Sequence, residues 1–210
     1  MHQSSFEKMA EFLDRNYSND GIVRTVLDFG SKDVNGTYRS LFPPENWQYL
    51  GLDLEEGENV DLVPKDPYRW NEVKDGTIDL VISGQALEHI DFPWKTFETI
   101  KRILKPNGLC CVIAPSAGPE HKHPVDCWRF YPDGMKSLCK HAGLECLEAN
   151  TDWNPKKYED GSALWKDTLL LARKPEPKPI PKIKARAPKK FSPRYESEVT
   201  SWHPHREFAY

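Results

Sequence analysis

Two rhythms of apolar residues run through positions 1–173: short continuous runs, and stretches with apolar residues three or four apart. Over 4–17, Phe6, Met9, Ala10, Leu13 and Tyr17 fall on one helical face. Ser4 and Glu7 have capping-box spacing at its start. Residues 25–28 read as a first buried strand. A short helix is expected after Gly36, stopped before Pro43-Pro44 because two prolines cannot continue it. Further strands are expected at 47–53, 60–63, 77–83, 109–114, 144–151 and 168–173. Between them, Asp91 and Pro93 start a helix with Phe97, Ile100, Ile103 and Leu104 inward. Another spans 132–142, and Gly143 is its left-handed stop. Strand alternating with helix predicts βαβ units, hence a doubly wound, mostly parallel α/β sheet with helices on both faces.

This divides the chain into an N-terminal helix (1–20) that packs on the core or lids a pocket, a domain at 21–173, and a tail at 174–210. The net charge of −3 hides an asymmetry, −8 up to residue 173 and +5 beyond it. An acidic globular part argues against a nucleic-acid-binding core, which would show a basic face. The tail, rich in proline and lysine, lacks the apolar content to offset chain entropy and is expected to be extended or disordered; solvated disorder is the default reading, contact with an anionic partner or a second subunit the alternative. The five cysteines form no C-x-x-C pair and read as reduced residues of a cytoplasmic protein. No apolar run approaches the length of a membrane span, and no signal-peptide pattern opens the chain.

Candidate chemistry gathers at strand ends. The first strand closes on Asp28, and Gly30 opens a polar loop that reaches Gly36. In doubly wound folds the ligand lies past the carboxyl end of that strand, where the winding reverses. Asp53 closes the second strand at the separation from the glycine loop where such folds hydrogen-bond a ribose diol. A carboxylate suits that task because it accepts two charge-assisted bonds at once. A strand-end Asp that caps a turn would look the same. Asp66 is placed to accept from an adenine amino group, with Leu54 or Tyr68 against the ring; equally, it reads as an N-cap ahead of Pro67. The polar run at 116–132 is too long for a simple turn, and long loops tend to be functional.

VLDFG, YLGLD, DGTIDLVISGQALEHI and ILKPNGLCCVIAPS, in that order from about Val23 to Arg173, resemble the class I S-adenosylmethionine-dependent methyltransferases. DVNGTYR and HPVDCWRFYPDG resemble small bacterial members linked to glycan and secondary-metabolite modification. The resemblance implies a Rossmann-like seven-stranded sheet in the order 3-2-1-4-5-7-6, with strand seven antiparallel. It implies S-adenosyl-L-methionine as cofactor, held by Asp28, Gly30, Ser31, Gly36, Asp53, Leu54, Asp66, Ser83, Gly84 and Gln85. The family's first motif alternates glycines directly after the strand. Here Ser31-Lys32-Asp33 fill that space, so the loop takes a different path around the methionine end. The G-x-G-x-x-G of a dinucleotide oxidoreductase is absent.

The expected reaction is methyl transfer to a small-molecule or glycan acceptor, at oxygen. A hydroxyl acceptor needs a base, and the candidates are His89, His121, His123 and Asp126; His89 reads as base or metal ligand, or else Glu88 and His89 order the entry to the next helix. Gln85-Ala-Leu-Glu88-His89 resembles a metal-holding Glu-x-x-Glu-His stretch of quinone-pathway O-methyltransferases, but Gln85 removes one anionic oxygen. His121-Lys-His123 with Cys127 fits no standard zinc spacing, and no metal is expected. Trp128 and Arg129 line or brace the acceptor side. The altered first motif motivates a competing reading, a methyltransferase fold that binds without turnover. Aminopropyl transfer would want acidic residues after the fourth strand, which Gly84-Gln85-Ala86 do not supply.

Overall fold

The computed structural model describes residues 2–177. Its elements are α1 (Gln3–Asn16), β1 (Arg24–Phe29), β2 (Trp47–Leu52), β3 (Ile78–Gly84), α2 (Pro93–Ile103), β4 (Leu104–Pro115), α3 (Pro132–Ala142), β5 (Glu145–Thr151) and β6 (Asp167–Arg173). They form one six-stranded sheet in the order β2-β1-β3-β4-β6-β5. The first four pair in parallel, and β6 runs antiparallel to both its neighbours.

Strand periodicity sorts the core into two layers. Leu27, Phe29, Val81, Cys110, Val112, Leu170 and Ala172 meet Phe97, Ile100 and Ile103 of α2 and Met135, Leu138 and Cys139 of α3. Val26, Leu80, Ile82, Cys111, Ile113, Leu169 and Leu171 point the other way, toward Met9 and Phe12 of α1 and the rings of Tyr38, Phe42 and Trp47. Odd and even positions of one strand serve opposite layers, which is why these strands read as continuous apolar runs. Prolines begin α2 and α3, where no intrahelical partner for their missing N–H is needed. Gly143 ends α3 at φ 70°, as expected.

Three expectations are corrected. The strand at 60–63 is reduced to a single bridge, Leu52 to Leu62. The Asp61 carboxylate takes the Gly51 N–H at 2.8 Å, in place of a strand carbonyl, and Pro64 has no N–H to continue a ladder. The sheet therefore has six strands, otherwise in the expected sequence. The capping box does not form: Ser4 Oγ donates to Asp167 at 2.6 Å, and Glu7 pairs with Lys156. Asp66 caps a turn, not a helix, its Oδ1 accepting from the N–H groups of Tyr68 and Arg69. All five cysteines are free thiols.

Helix α1 belongs to the body of the domain. Its start is pinned by Gln3 N–H on Asp160 and Ser4 N–H on Ser162, and by the His2 ring stacked on Trp165. At the other end of the described chain, the Lys174 N–H donates to the Gly108 carbonyl, and its Nζ to the carbonyl of Leu104. The remainder of the tail lies outside the described residues. Among the described residues, no helix is long and apolar enough to cross a membrane.

Candidate active site

Winding reverses between β1 and β3, so their carboxyl ends flank the crevice where an open α/β sheet binds ligands. On one wall, Gly30 turns out of β1 with φ 73°, and a Cβ there would lie 2.3 Å from the Ala86 methyl. On the other wall, a Cβ on Gly84 would lie 1.9 Å from the Tyr38 hydroxyl. Tyr38 is fully buried, and its hydroxyl is 2.6 Å from Ser5 Oγ. Protein atoms thus meet both glycines.

Asp28 is buried on the α1 side of β1, where the Tyr49 hydroxyl donates to its carboxylate. Burial pushes the Asp28 carboxyl up to about 7 against that hydrogen bond, and the charge of Asp53 adds to the rise. Asp53, at the end of β2, accepts the Lys32 N–H on Oδ2 at 3.0 Å and the Leu54 N–H on Oδ1 at 2.7 Å. It is half-buried and faces the loop after Gly30; Leu54 beside it is 58% exposed. Ser31 is buried with its hydroxyl on the Asn59 carbonyl, whereas Gly36 is exposed at φ 103° with its N–H on Asp33. Ser83 donates to the Phe29 carbonyl, tying β3 to β1 just below the crevice.

Beyond β3 the chain is strained and polar. Gln85 sits at φ 58°. Its Nε2 donates to Asp167, while its Oε1 is buried without a partner. A short 3₁₀ turn, Leu87–His89, then places Glu88 inside the protein, fully buried with neither carboxylate oxygen hydrogen-bonded. Burial pushes its carboxyl up to about 8. The neighbouring His89 has its Nδ1 2.6 Å from the Val125 carbonyl, so that nitrogen carries the proton and Nε2 keeps its lone pair. Burial also lowers the His89 pKa, favouring the neutral ring.

The loop between β4 and α3 closes over this turn. Cys127 and Trp128 donate their N–H groups to the Glu88 carbonyl, and Trp128 Nε1 reaches the Ile90 carbonyl. His121 brings its ring 4.9 Å from that of His89, and His123 brings its own to 5.9 Å. Asp126 spends its carboxylate on the Arg129 fork, at 2.6 and 2.8 Å, and on the His121 N–H at 2.7 Å. Those bonds hold its carboxyl well below the usual range, a role of bracing the loop. Arg129 also lies over Trp165, against which His121 packs.

A family model described as a methyltransferase domain matches residues 1–149. The chain belongs to that methyltransferase-domain family. An uncharacterized methyltransferase of Mycolicibacterium gilvum (strain PYR-GCK) is 28% identical over 111 residues, covering 46% of this chain and 43% of the relative. This chain thus spans less than half the relative's length. Among solved structures, the Burkholderia thailandensis 1,6-didemethyltoxoflavin-N1-methyltransferase, with 1,6-didemethyltoxoflavin and S-adenosylhomocysteine bound, superposes with a TM-score of 0.60. It is 15% identical, over 83% of this chain and 80% of that one. The [4+2]-cyclase SpnF superposes with a TM-score of 0.55 at 16% identity, over 81% of each chain. At such identities the likeness is one of fold.

Within this methyltransferase-domain chain, the structure gathers the sequence candidates into two groups. Gly30, Ser31, Asp53 and Leu54 line the β1–β2 end. Gln85 and His89 stand on the far wall with His121, His123 and Asp126. Sequence reasoning missed Tyr38 and Asp167, which meet Gly84 and Gln85, and it read Glu88 only as part of a stretch resembling a metal-holding motif or as ordering the entry to the next helix. A carboxylate between apolar Leu87 and a histidine was the available signal for Glu88, but only the fold shows it buried and unpartnered.

Proposed function

We propose that this chain is an S-adenosylmethionine-dependent methyltransferase that acts at an oxygen of a small-molecule or glycan acceptor. Asp53 carries the reading. Its carboxylate ends β2 beside the Gly30 loop, and the three backbone N–H groups that aim it leave acceptor capacity on Oδ2 for a ribose diol. Leu54 offers an exposed apolar face to an adenine, and Asp66 is the acceptor assigned to its amino group. At the opposite wall, the orphaned Gln85 Oε1 is an acceptor that suits an amino group. S-adenosylmethionine, when bound, supplies a methyl group already activated on a sulfonium. The chain's own task is alignment, worth roughly 7–11 kcal/mol in such displacements, and removal of the acceptor's proton. His89 suits the second task, with a neutral ring fixed through Nδ1 and its Nε2 lone pair open; a positioned base contributes about 10²–10⁴-fold.

Calorimetry with S-adenosylhomocysteine, followed by transfer of labelled methyl to an acceptor panel, tests this. Micromolar binding together with transfer supports it, and absence of heat with either S-adenosyl compound overturns it. A second reading, a binding protein that keeps the fold without methyl transfer, is favoured by one observation: Ala86 and Tyr38 lie against the two crevice glycines. It predicts S-adenosylhomocysteine binding with no transfer to any acceptor.

A further inference from the structure

We propose that Glu88, His89 and His121 form a binding site for one divalent transition-metal ion of the zinc class. The three residues come from two segments, the turn after β3 and the loop after β4, and one ligand atom from each lies within 4.8 Å of the others. Glu88 Oε1 and His89 Nε2 are 3.7 Å apart, close to the roughly 3.3 Å edge of a tetrahedron with bonds of about 2.0 Å. Geometry alone would not carry this, since such clusters occur by chance. Two further observations point to a ligand.

Both Glu88 oxygens and His121 Nδ1 are buried without a hydrogen-bond partner, and unpartnered buried polar atoms are costly and rare. His89 is already poised as a ligand: its Nδ1–H is spent on the Val125 carbonyl, and this is the second bond that orients metal-bound histidines. His121 lies beside a carboxylate, but its ring makes no hydrogen bond to it. The backbone N–H of His121 donates to Asp126 Oδ2, and the ring Nδ1 is 3.3 Å from the same oxygen, off the line of a hydrogen bond. Arg129 pins that carboxylate in turn. Two imidazoles and one carboxylate suit zinc, cobalt or iron over magnesium, which prefers oxygen ligands throughout.

Three protein ligands leave coordination positions open, the pattern of an ion that meets water or substrate. Such an ion would use the His89 lone pair and take over the task of making an acceptor hydroxyl acidic.

The test is metal content of the full chain, purified with zinc chloride and desalted, together with titration by cobalt chloride. One zinc per chain and cobalt bands in the visible are expected. Glu88→Gln and His121→Asn, each checked for folding by circular dichroism, should each weaken zinc at least about tenfold. A surface variant, Glu98→Gln, should leave binding unchanged. No retained zinc, wild-type retention in both ligand variants, or a thiolate charge-transfer band from Cys127 would overturn the assignment. No S-adenosyl compound enters the measurement, so its failure leaves the methyltransferase reading standing.

Discussion

A Cβ on Gly30 would sit 2.3 Å from the methyl of Ala86, so the turn leaving β1 and the turn leaving β3 are packed on one another. Gly30→Ala meets that overlap and also a φ of 73°, which side chains resist. Its expected cost is about 2–4 kcal/mol, combining overpacking with backbone strain. In an Ala86→Gly background only the backbone part remains. A double-mutant cycle by urea unfolding should therefore show coupling of roughly 1–2 kcal/mol. Additive effects would mean that the two turns do not touch in solution.

Much of this architecture could be read from the residue pattern, and the reason is physical. Strands buried on both faces leave continuous apolar runs such as Ile78–Gly84, and helices that cover them leave Phe97, Ile100 and Ile103 three residues apart. Carboxylates at strand ends mark the crevice because Asp28 and Asp53 interrupt those runs. Side-chain competition for backbone groups was not legible. Asp61 reaches the Gly51 N–H and ends the third strand; Ser4 leaves its capping box for Asp167, a contact spanning 163 positions. The site's far wall was half legible. His89, His123 and Asp126 drew attention as titratable loop residues, but nothing local says that Asp126 is committed to Arg129 or that His121 faces His89.

Asp28 should make stability fall as pH rises. Burial pushes its carboxyl up to about 7, above its ordinary value near 4, so the folded chain holds the proton more tightly than the unfolded one. This group costs nothing below about pH 4, the cost grows between about pH 4 and 7, and it is constant above. Three pKa units correspond to about 4 kcal/mol at most. Asp28→Asn keeps an acceptor for Tyr49 and removes the charge. Urea unfolding at pH 4 and pH 8 should show the variant gaining on the natural chain by up to that amount. A difference that does not change with pH would mean that Asp28 ionises in the fold as freely as in water.

The start of α1 offers a contrast between two residues that the pattern links. Ser4→Ala removes a donor to the buried Asp167 carboxylate, which is left with Gln85 Nε2. Hydrogen bonds to charged groups contribute about 1.5–3 kcal/mol, so a loss near that size is expected in thermal or urea unfolding. Glu7→Gln should be close to neutral, because its partner Lys156 is an exposed lysine. Equal losses in the two variants would mean that a capping box forms in solution after all.

Asp53 separates ligand recognition from loop architecture. Its Oδ1 accepts the N–H groups of Leu54 and Glu55, and its Oδ2 that of Lys32, so replacement by alanine disturbs the turn as well as any bound ribose. Asp53→Asn retains an oxygen for the turn and loses the negative charge that strengthens bonds to hydroxyl donors. The expected result is a fall in S-adenosylhomocysteine affinity of about ten- to a hundredfold in Asp53→Asn, with an unfolding midpoint close to that of the natural chain. Asp53→Ala should lose both affinity and stability, the latter by about 1–2 kcal/mol as two turns give up their acceptor. If Asp53→Asn bound S-adenosylhomocysteine as tightly as the natural chain, the carboxylate would be serving the turn alone. The ribose contact, and with it the orientation proposed for the donor, would have to be sought elsewhere along the rim.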